Sequence, residues 1–404
     1  MSWRSEKPAD LPISEESRDL WERLERLHHE LRDYTAMEWD RINPFYENLF
    51  SWSEKGEFTT GNDVTIILVG GGERSVPAVK SLVERPDVKI HYYLIQKGRS
   101  DEKTVYPTLQ ELATDAGIEY DLHPSGESLS DEQIDKLQSF SGDAIIGSGI
   151  WRAYLPERVW EATEYGFIAN HGSLLPEYRG WANINWYMIN GESEYGLQAF
   201  QLSNDIDAGK LVYDEQDGTP LNVTIEIDEE MYISDLQTEV RRKHAEQIND
   251  IIDLLKRDTI TFIKQDESSA TYCCHRGPED GEIDWGDGTR EIYNFVRAQA
   301  DPYPGAYSYY NNEKFKILRA DIPEDMDDYV GRIPGKVVER NADGTVDVLT
   351  GDGVLRIEEI TVGKQKEPKT FLDSVRNTLG YDAQSRSQEL ESKLEELTEK
   401  VKTN

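Results

Sequence analysis

Apolar positions change their period along the chain. Between residues 14 and about 35, Leu20, Leu24, Leu27, Leu31 and Tyr34 recur at spacings of four and three with charged residues between them. This predicts an amphipathic helix, with Ser14 as N-cap and Glu15 and Glu16 at its positive end. From residue 64 the pattern switches. VTIILVGGG (64–72) is a continuous apolar run that ends in glycines, the pattern of a buried strand and its turn. A helix is expected at 75–84, a strand at 88–96, helices at about 104–116 and 129–140, and a third strand at 143–150. A strand running into a loop (166–176), a helix (181–190), strands at 197–204 and 210–216 and a long helix (230–256) follow. Strands alternating with helices imply a mainly parallel sheet, whose ligands gather at the carboxyl ends of its strands. After about Ser269 short β runs are separated by Gly, Asp and Asn turns, which predicts a small barrel. In the tail, Leu390, Leu394, Leu397 and Val401 form a narrow stripe among Glu and Lys. That stripe is similar to a short coiled-coil seam and predicts a homo-oligomer, a dimer. The expected division is a helical extension (1–62), an α/β domain (63–268), a β-barrel domain (269–370) and a helical tail (371–404).

Charge narrows the function classes. Among 404 residues, 79 acidic against 44 basic side chains give a net charge of −35. A nucleic-acid-coating protein would need a basic face. The acidity is spread along the chain, which fits a protein kept soluble by surface charge in a salt-rich, halophilic cytoplasm. The two cysteines, Cys273 and Cys274, are adjacent; neighbours bridge only with strain, so a disulfide framework is not expected and a cytoplasmic location is. The first residues lack an apolar h-region, and no run approaches the ~18 apolar residues of a membrane span.

The candidate chemistry lies in Asn170-His171-Gly172-Ser173-Leu174-Leu175-Pro176-Glu177-Tyr178-Arg179-Gly180, followed by the turn Ile206-Asp207-Ala208-Gly209-Lys210. A histidine on a loop at the end of a buried strand is placed for proton transfer. This constellation resembles the N10-formyltetrahydrofolate-dependent formyltransferases, in which an Asn-x-His pair opens an SLLP loop and an Asp follows some 35 residues later in a D-x-G turn. Asp207 matches that aspartate. VTIILVGGGERSVPAVKSLV, RGPEDGEIDW and VRAQADPYPGAYSYY extend the likeness to about residues 64–365.

The resemblance implies an α/β fold: a Rossmann-like formyltransferase domain followed by an OB-like barrel. It implies N10-formyltetrahydrofolate as formyl donor and no metal. His171 and Asp207 are then the catalytic pair. The family's Asn position holds Ala169 here, and Asn170 is next to His171 instead. Neighbours on a regular strand face opposite ways, so Asn170 supplies the catalytic amide only across a bulge; otherwise Asn183 or a backbone N–H serves. The pterin would lie on the loop from Ser148 to Pro156, against Ile150, Trp151 and Leu155, and on Ser173, Leu174, Leu175 and Pro176. Arg276 matches an arginine near the acceptor cleft of the amino-sugar branch and would meet a diphosphate.

Two members of this family share the two-domain layout: one formylates Met-tRNA, the other the 4-amino group of a nucleotide-linked sugar. The loop after the second strand, Gln96 to Lys103, is short and mixed in charge, where a tRNA enzyme carries a long basic one. The expected acceptor is therefore an amino-sugar nucleotide, with Met-tRNA as the alternative. A non-catalytic folate or sugar-nucleotide scaffold is a third reading, prompted by Ala169.

Overall fold

The computed structural model describes residues 63–98, 104–140, 142–325, 327–363 and 367–380. The amphipathic stripes at 14–35 and 384–402, and the oligomer predicted from the second, lie outside the described residues.

The run after Asp63 forms β1 (Val64–Gly70), followed by α1 (Ser75–Val83), β2 (Val88–Gln96), α2 (Tyr106–Asp115), β3 (Glu119–His123), α3 (Asp131–Gln138), β4 (Ala144–Gly147), α4 (Glu157–Trp160) and β5 (Phe167–His171). These five strands are parallel, in the order β5-β4-β1-β2-β3. Alternate residues of β1 enter different cores. Ile66 and Leu68 pack under helices with Val79, Leu82, Ile248 and Ile252; Ile67 and Val69 pack on the other face with Leu94, Leu137, Ile145 and Val159. Burial on both faces is why the strand reads as an unbroken apolar run.

Past β5 the chain makes β6 (Arg179–Gly180), α5 (Asn183–Ile189), β7 (Glu194–Gln201), β8 (Leu211–Asp214), β9 (Asn222–Glu226), α6 (Ile233–Arg257) and β10 (Ile260–Ile263). β7 pairs antiparallel with β5 and carries the sheet on to β8 and β10, with β9 alongside, for nine strands in all. The order reverses between β1 and β4, and the carboxyl ends of β1, β4 and β5 open there. The 25-residue α6 lies across this region with Val240, Ile248, Ile251 and Ile252 buried.

The second sheet follows β11 (Tyr272–Cys273), which pairs with β6. It comprises α7 (Thr289–Gln299), β12 (Ala306–Tyr310), β13 (Glu313–Asp321), β14 (Val337–Arg340), β15 (Val346–Leu349), β16 (Val354–Thr361) and α8 (Pro368–Phe371). Five antiparallel strands run β12-β13-β16-β15-β14. Its two edges are bridged by the chain at 377–380: Leu379 N donates to Gly335 O (2.7 Å) and Gly380 N to Tyr309 O (2.9 Å). Ile292 and Val296 of α7 fill its interior with Ile317, Val348, Ile357 and Ile360.

The expected helices at 75–84, 104–116, 129–140, 181–190 and 230–256 are present with ends shifted by up to three residues. The segment placed as a strand running into a loop at 166–176 is strand only to His171. The apolar pattern does not predict β3, β9 or β10. β3 (EYDLH) is the terminal strand of the sheet, and only His123 within it is buried. An edge strand of that composition carries no apolar run to read. Among the described residues, no helix is long and apolar enough to cross a membrane.

Candidate active site

β5 carries the motif to the carboxyl edge of the sheet. Its pairing with β7 sets Ala169 opposite Phe200, Asn170 opposite Ala199 and His171 opposite Gln198, with no register shift. The alternation of a regular strand therefore holds, and Ala169 and His171 share a face. Asn170 faces away: its Nδ2 donates to Oε1 of Gln247 on α6. Gln247 in turn donates to Leu197 O (3.2 Å) and Leu221 O (3.0 Å). Asn170 is thus a strut between β5 and α6. The expectation that it joins the catalytic pair is corrected, because the bulge it required does not exist.

His171 and Asp207, 36 positions apart in sequence, come together. His171 Nδ1 lies 3.5 Å from Asp207 Oδ2. On the other side of the ring, Nε2 is 2.9 Å from Tyr178 O and 3.0 Å from Asn183 Nδ2. In one tautomer Nε2–H donates to the Tyr178 carbonyl; in the other Nε2 accepts from the Asn183 amide. Phe200 meets the imidazole edge-on with centroids 6.2 Å apart. The amide next to the histidine is therefore that of Asn183, the first residue of α5, rather than the strand neighbour.

The backbone around this cluster is held in an unusual conformation. Among the described residues six non-glycine residues have positive φ, and three of them are Tyr178 (54°), Ala182 (54°) and Asp207 (51°). Such positions cost of order 1 kcal/mol or more each and persist where the surroundings enforce them. Asp207 Oδ2 also accepts from Gly180 N at 2.8 Å, so one carboxylate oxygen touches both the SLLP loop and the imidazole. Gly209 in the same turn is required by close approach, since a Cβ there would stand 1.6 Å from Gln201 O. His171 is 8 % exposed, and the Asp207 carboxylate reaches the surface beside it.

The expected folate surfaces are only partly available. Ile150 is exposed and is pinned to Gly71 by a pair of backbone hydrogen bonds, each 2.9 Å. Trp151 is half-buried and packs on His123, with ring centroids 5.2 Å apart. Leu155 is buried in the core beneath. In the SLLP loop, Ser173 is fully buried and donates to Glu177 O at 2.6 Å. Leu175 is buried against Phe200 and Leu211; Leu174 is half-buried over Gly196, and Pro176 is half-buried. Leu155, Ser173 and Leu175 therefore build the loops and offer no free surface to a ligand, a correction to the expected set. Tyr154 and Ile206, exposed on the loops after β4 and β7, were not anticipated; Ile206 could have been flagged as an apolar residue beside Asp207.

Arg276 is tied to α5, the helix that begins at Asn183. Its guanidinium lies over Trp186 of that helix (4.8 Å) and Phe295 of α7 (5.3 Å). Nη2 donates to Asp280 O at 2.6 Å. Burial pulls its pKa below the ordinary arginine value. Two further buried groups lie behind the Asp207 turn: Arg179, the arginine of the motif, which bonds Gln265, and Gln265, which had no sequence signal and bonds the Asp207 carbonyl.

A nine-stranded α/β sheet with His171, Asp207 and Asn183 at its carboxyl edge, followed by an antiparallel five-stranded domain, is a Rossmann-like scaffold with a polar cluster at its strand ends. Residues 96–248 match the formyl transferase family model and residues 277–375 match that of the formyl transferase C-terminal domain. The chain belongs to the formyl transferase family and is a formyltransferase. Among solved structures it is similar to an N-formyltransferase from Helicobacter canadensis in complex with folinic acid and dTDP-3-aminofucose. That match has 15% identity and a TM-score of 0.53, and covers 73% of this chain and 98% of the other. WlaRD, a sugar 3N-formyl transferase determined in the presence of dTDP and 5-N-formyl-THF, aligns at 17% identity and a TM-score of 0.51, covering 74% and 97%. Methionyl-tRNA formyltransferase from Clostridium thermocellum aligns at 17% identity and a TM-score of 0.41, covering 65% and 95%. For the first two, at these identities, the likeness is one of fold.

Proposed function

We propose that the protein transfers a formyl group from N10-formyltetrahydrofolate to the primary amine of a nucleotide-linked amino sugar, using His171, Asp207 and Asn183. The observation that carries this reading is the convergence of the three side chains at one strand end, with His171 between Asp207 Oδ2 (3.5 Å) and Asn183 Nδ2 (3.0 Å). The folate supplies the formyl carbon. Exposed Ile150, Tyr154 and Ile206 offer apolar surface for its ring system, so the residues present suit such a donor. His171 accepts the proton that the attacking amine gives up and returns it to the departing nitrogen. Asp207 orients the ring and balances the charge it acquires. The Asn183 amide is the donor for the oxygen that becomes negative during acyl transfer, a role that Ala169 and Asn170 do not fill. Arg276, clamped between Trp186 and Phe295, supports an anionic acceptor; a planar guanidinium with free N–H groups suits a diphosphate.

The acceptor is tested by supplying the full-length chain and 10-formyltetrahydrofolate with dTDP- or UDP-linked 3- and 4-amino sugars and, in parallel, with Met-tRNA. Formylation of a sugar nucleotide in preference to Met-tRNA supports the reading, and formylation of Met-tRNA alone overturns it. A cytoplasmic, halophilic host remains part of the proposal, and it accounts for the charge of −35.

A further inference from the structure

Arg179 heads the fully buried side chains by size, and a buried guanidinium is tolerated only when its N–H groups are paired. Nη1 and Nη2 grip the two oxygens of Glu267 at 2.9 and 2.8 Å, and Nη1 also donates to Tyr272 OH at 3.0 Å. This pairing raises the arginine's pKa further. The remaining N–H groups, on Nε (3.2 Å) and Nη2 (2.6 Å), converge on a single atom, Gln265 Oε1. Arginine has donors only, so the Gln265 amide can present only its oxygen to Arg179, and its NH2 must point the other way. There Nε2 donates to Asp207 O and to Gly209 O, both at 2.7 Å. Carbonyls only accept, so both ends of the amide are fixed by chemistry.

The result is a clamp on the two carbonyls that flank Ala208. Asp207 within that turn has φ 51°, a left-handed conformation that aspartate adopts more readily than most residues but still at a cost, which the clamp on its carbonyl offsets. The next residue after Arg179 closes the circuit, because Gly180 N holds Asp207 Oδ2. Arg179 itself is anchored to the far wall by its backbone N–H on Thr271 O at 2.9 Å. Gln265, Glu267 and Thr271 all lie between β10 and β11, on the segment that leads from the parallel-sheet domain to the antiparallel one.

We infer that Arg179 and Gln265 are positioning residues that hold the Asp207 carboxylate against His171, and that the interdomain segment is a working part of the catalytic centre. The inference rests on the His171–Asp207 reading above. Gln265→Glu tests it in the full-length chain. The glutamate keeps an acceptor for Arg179, so the arginine stays paired, but it loses both N–H donors and sets negative charge against two carbonyl oxygens. Gln265→Met, of similar size and uncharged, serves as the second variant. With 13C-labelled histidine, the His171 ring signal in Gln265→Glu moves toward its position in Asp207→Asn while the other histidines stay in place. With 10-formyltetrahydrofolate and a dTDP-linked amino sugar, kcat falls about tenfold or more, as small misplacements do, and both KM values stay within about twofold. Adding Gln265→Glu to Asp207→Asn lowers kcat no further, because the two changes act through one group. Additive losses overturn the inference, as does a His171 signal that moves in Asp207→Asn but not in Gln265→Glu or Gln265→Met. If Asp207→Asn leaves the His171 signal and turnover unchanged, the pairing of these two residues fails first and takes the inference with it.

Discussion

At His171 one ring nitrogen faces a carboxylate and the other lies between a carbonyl and an amide, and this sets what single substitutions do. Asn183→Ala removes the only amide beside the imidazole among the described residues and lowers kcat by about 10²–10³, the loss typical of one oxyanion donor. Asn170→Ala leaves kcat near wild type and lowers stability, since Asn170 braces Gln247 on the far face. A steady-state comparison of the two variants, with thermal melts alongside, checks both; a large kcat loss in Asn170→Ala alone would reverse the assignment. His171 and Asp207 were legible in the sequence because loop and turn residues bracket them at a recognisable spacing. The amide partner was not fixed there: period-2 alternation ruled against Asn170 without a bulge, and Asn183 reaches the ring from the start of α5, just after the left-handed backbone at Ala182, which no local pattern marks. Gln265 was invisible, because its role depends on a buried arginine 86 residues away in sequence.

The elements that deliver these residues carry their own sensitivities. Gly209→Ala would push a Cβ into Gln201 O at 1.6 Å. The Asp207 turn must then shift, so this variant loses both melting temperature and turnover, where an ordinary exposed-loop change would alter stability by about 0.5 kcal/mol or less. On α6, His244 is buried, and its Nε2–H donates to Ser148 O at 3.0 Å. Burial pushes its pKa down to about 4. The unfolded chain binds this proton below about pH 6.5, while the folded protein resists it until about pH 4. Stability from this group is therefore complete above pH 6.5 and is lost as pH falls toward 4, by on the order of 3 kcal/mol. His244→Gln should flatten the decline in melting temperature over that window; an unchanged slope would place the acid sensitivity elsewhere. The buried parallel strands and α6 were readable because burial on two faces or along one stripe leaves a strong pattern. β3 and β9 were not, since short edge strands with polar faces look like loops, and the four-residue run of β10 is too short to separate from the end of α6.

For the whole molecule, the strongest influence outside the site is the charge of −35. Self-repulsion destabilises a compact state and is screened within a Debye length of roughly 10 Å at 0.1 M salt and 3 Å at 1 M. Melting temperature should therefore rise between about 0.05 M and 1 M KCl, beyond which screening of this kind is nearly complete. A flat or falling trend in calorimetry would show that the acidic surface serves another purpose. The two-domain layout was visible in the change from long alternating elements to short β runs. The way the connecting segment grips the Asp207 turn was not, because no local pattern marks it. The central claim is that His171 drives formyl transfer to an amine on a nucleotide-linked sugar. Mass spectrometry of the acceptor after incubation with 10-formyltetrahydrofolate, for the wild-type chain and for His171→Ala at matched folded concentration, tests it most directly. The expected result is one added formyl group with the wild type and a rate lower by about 10²–10⁴ with the variant, the contribution usual for a proton-transfer residue; equal rates for the two proteins would contradict it.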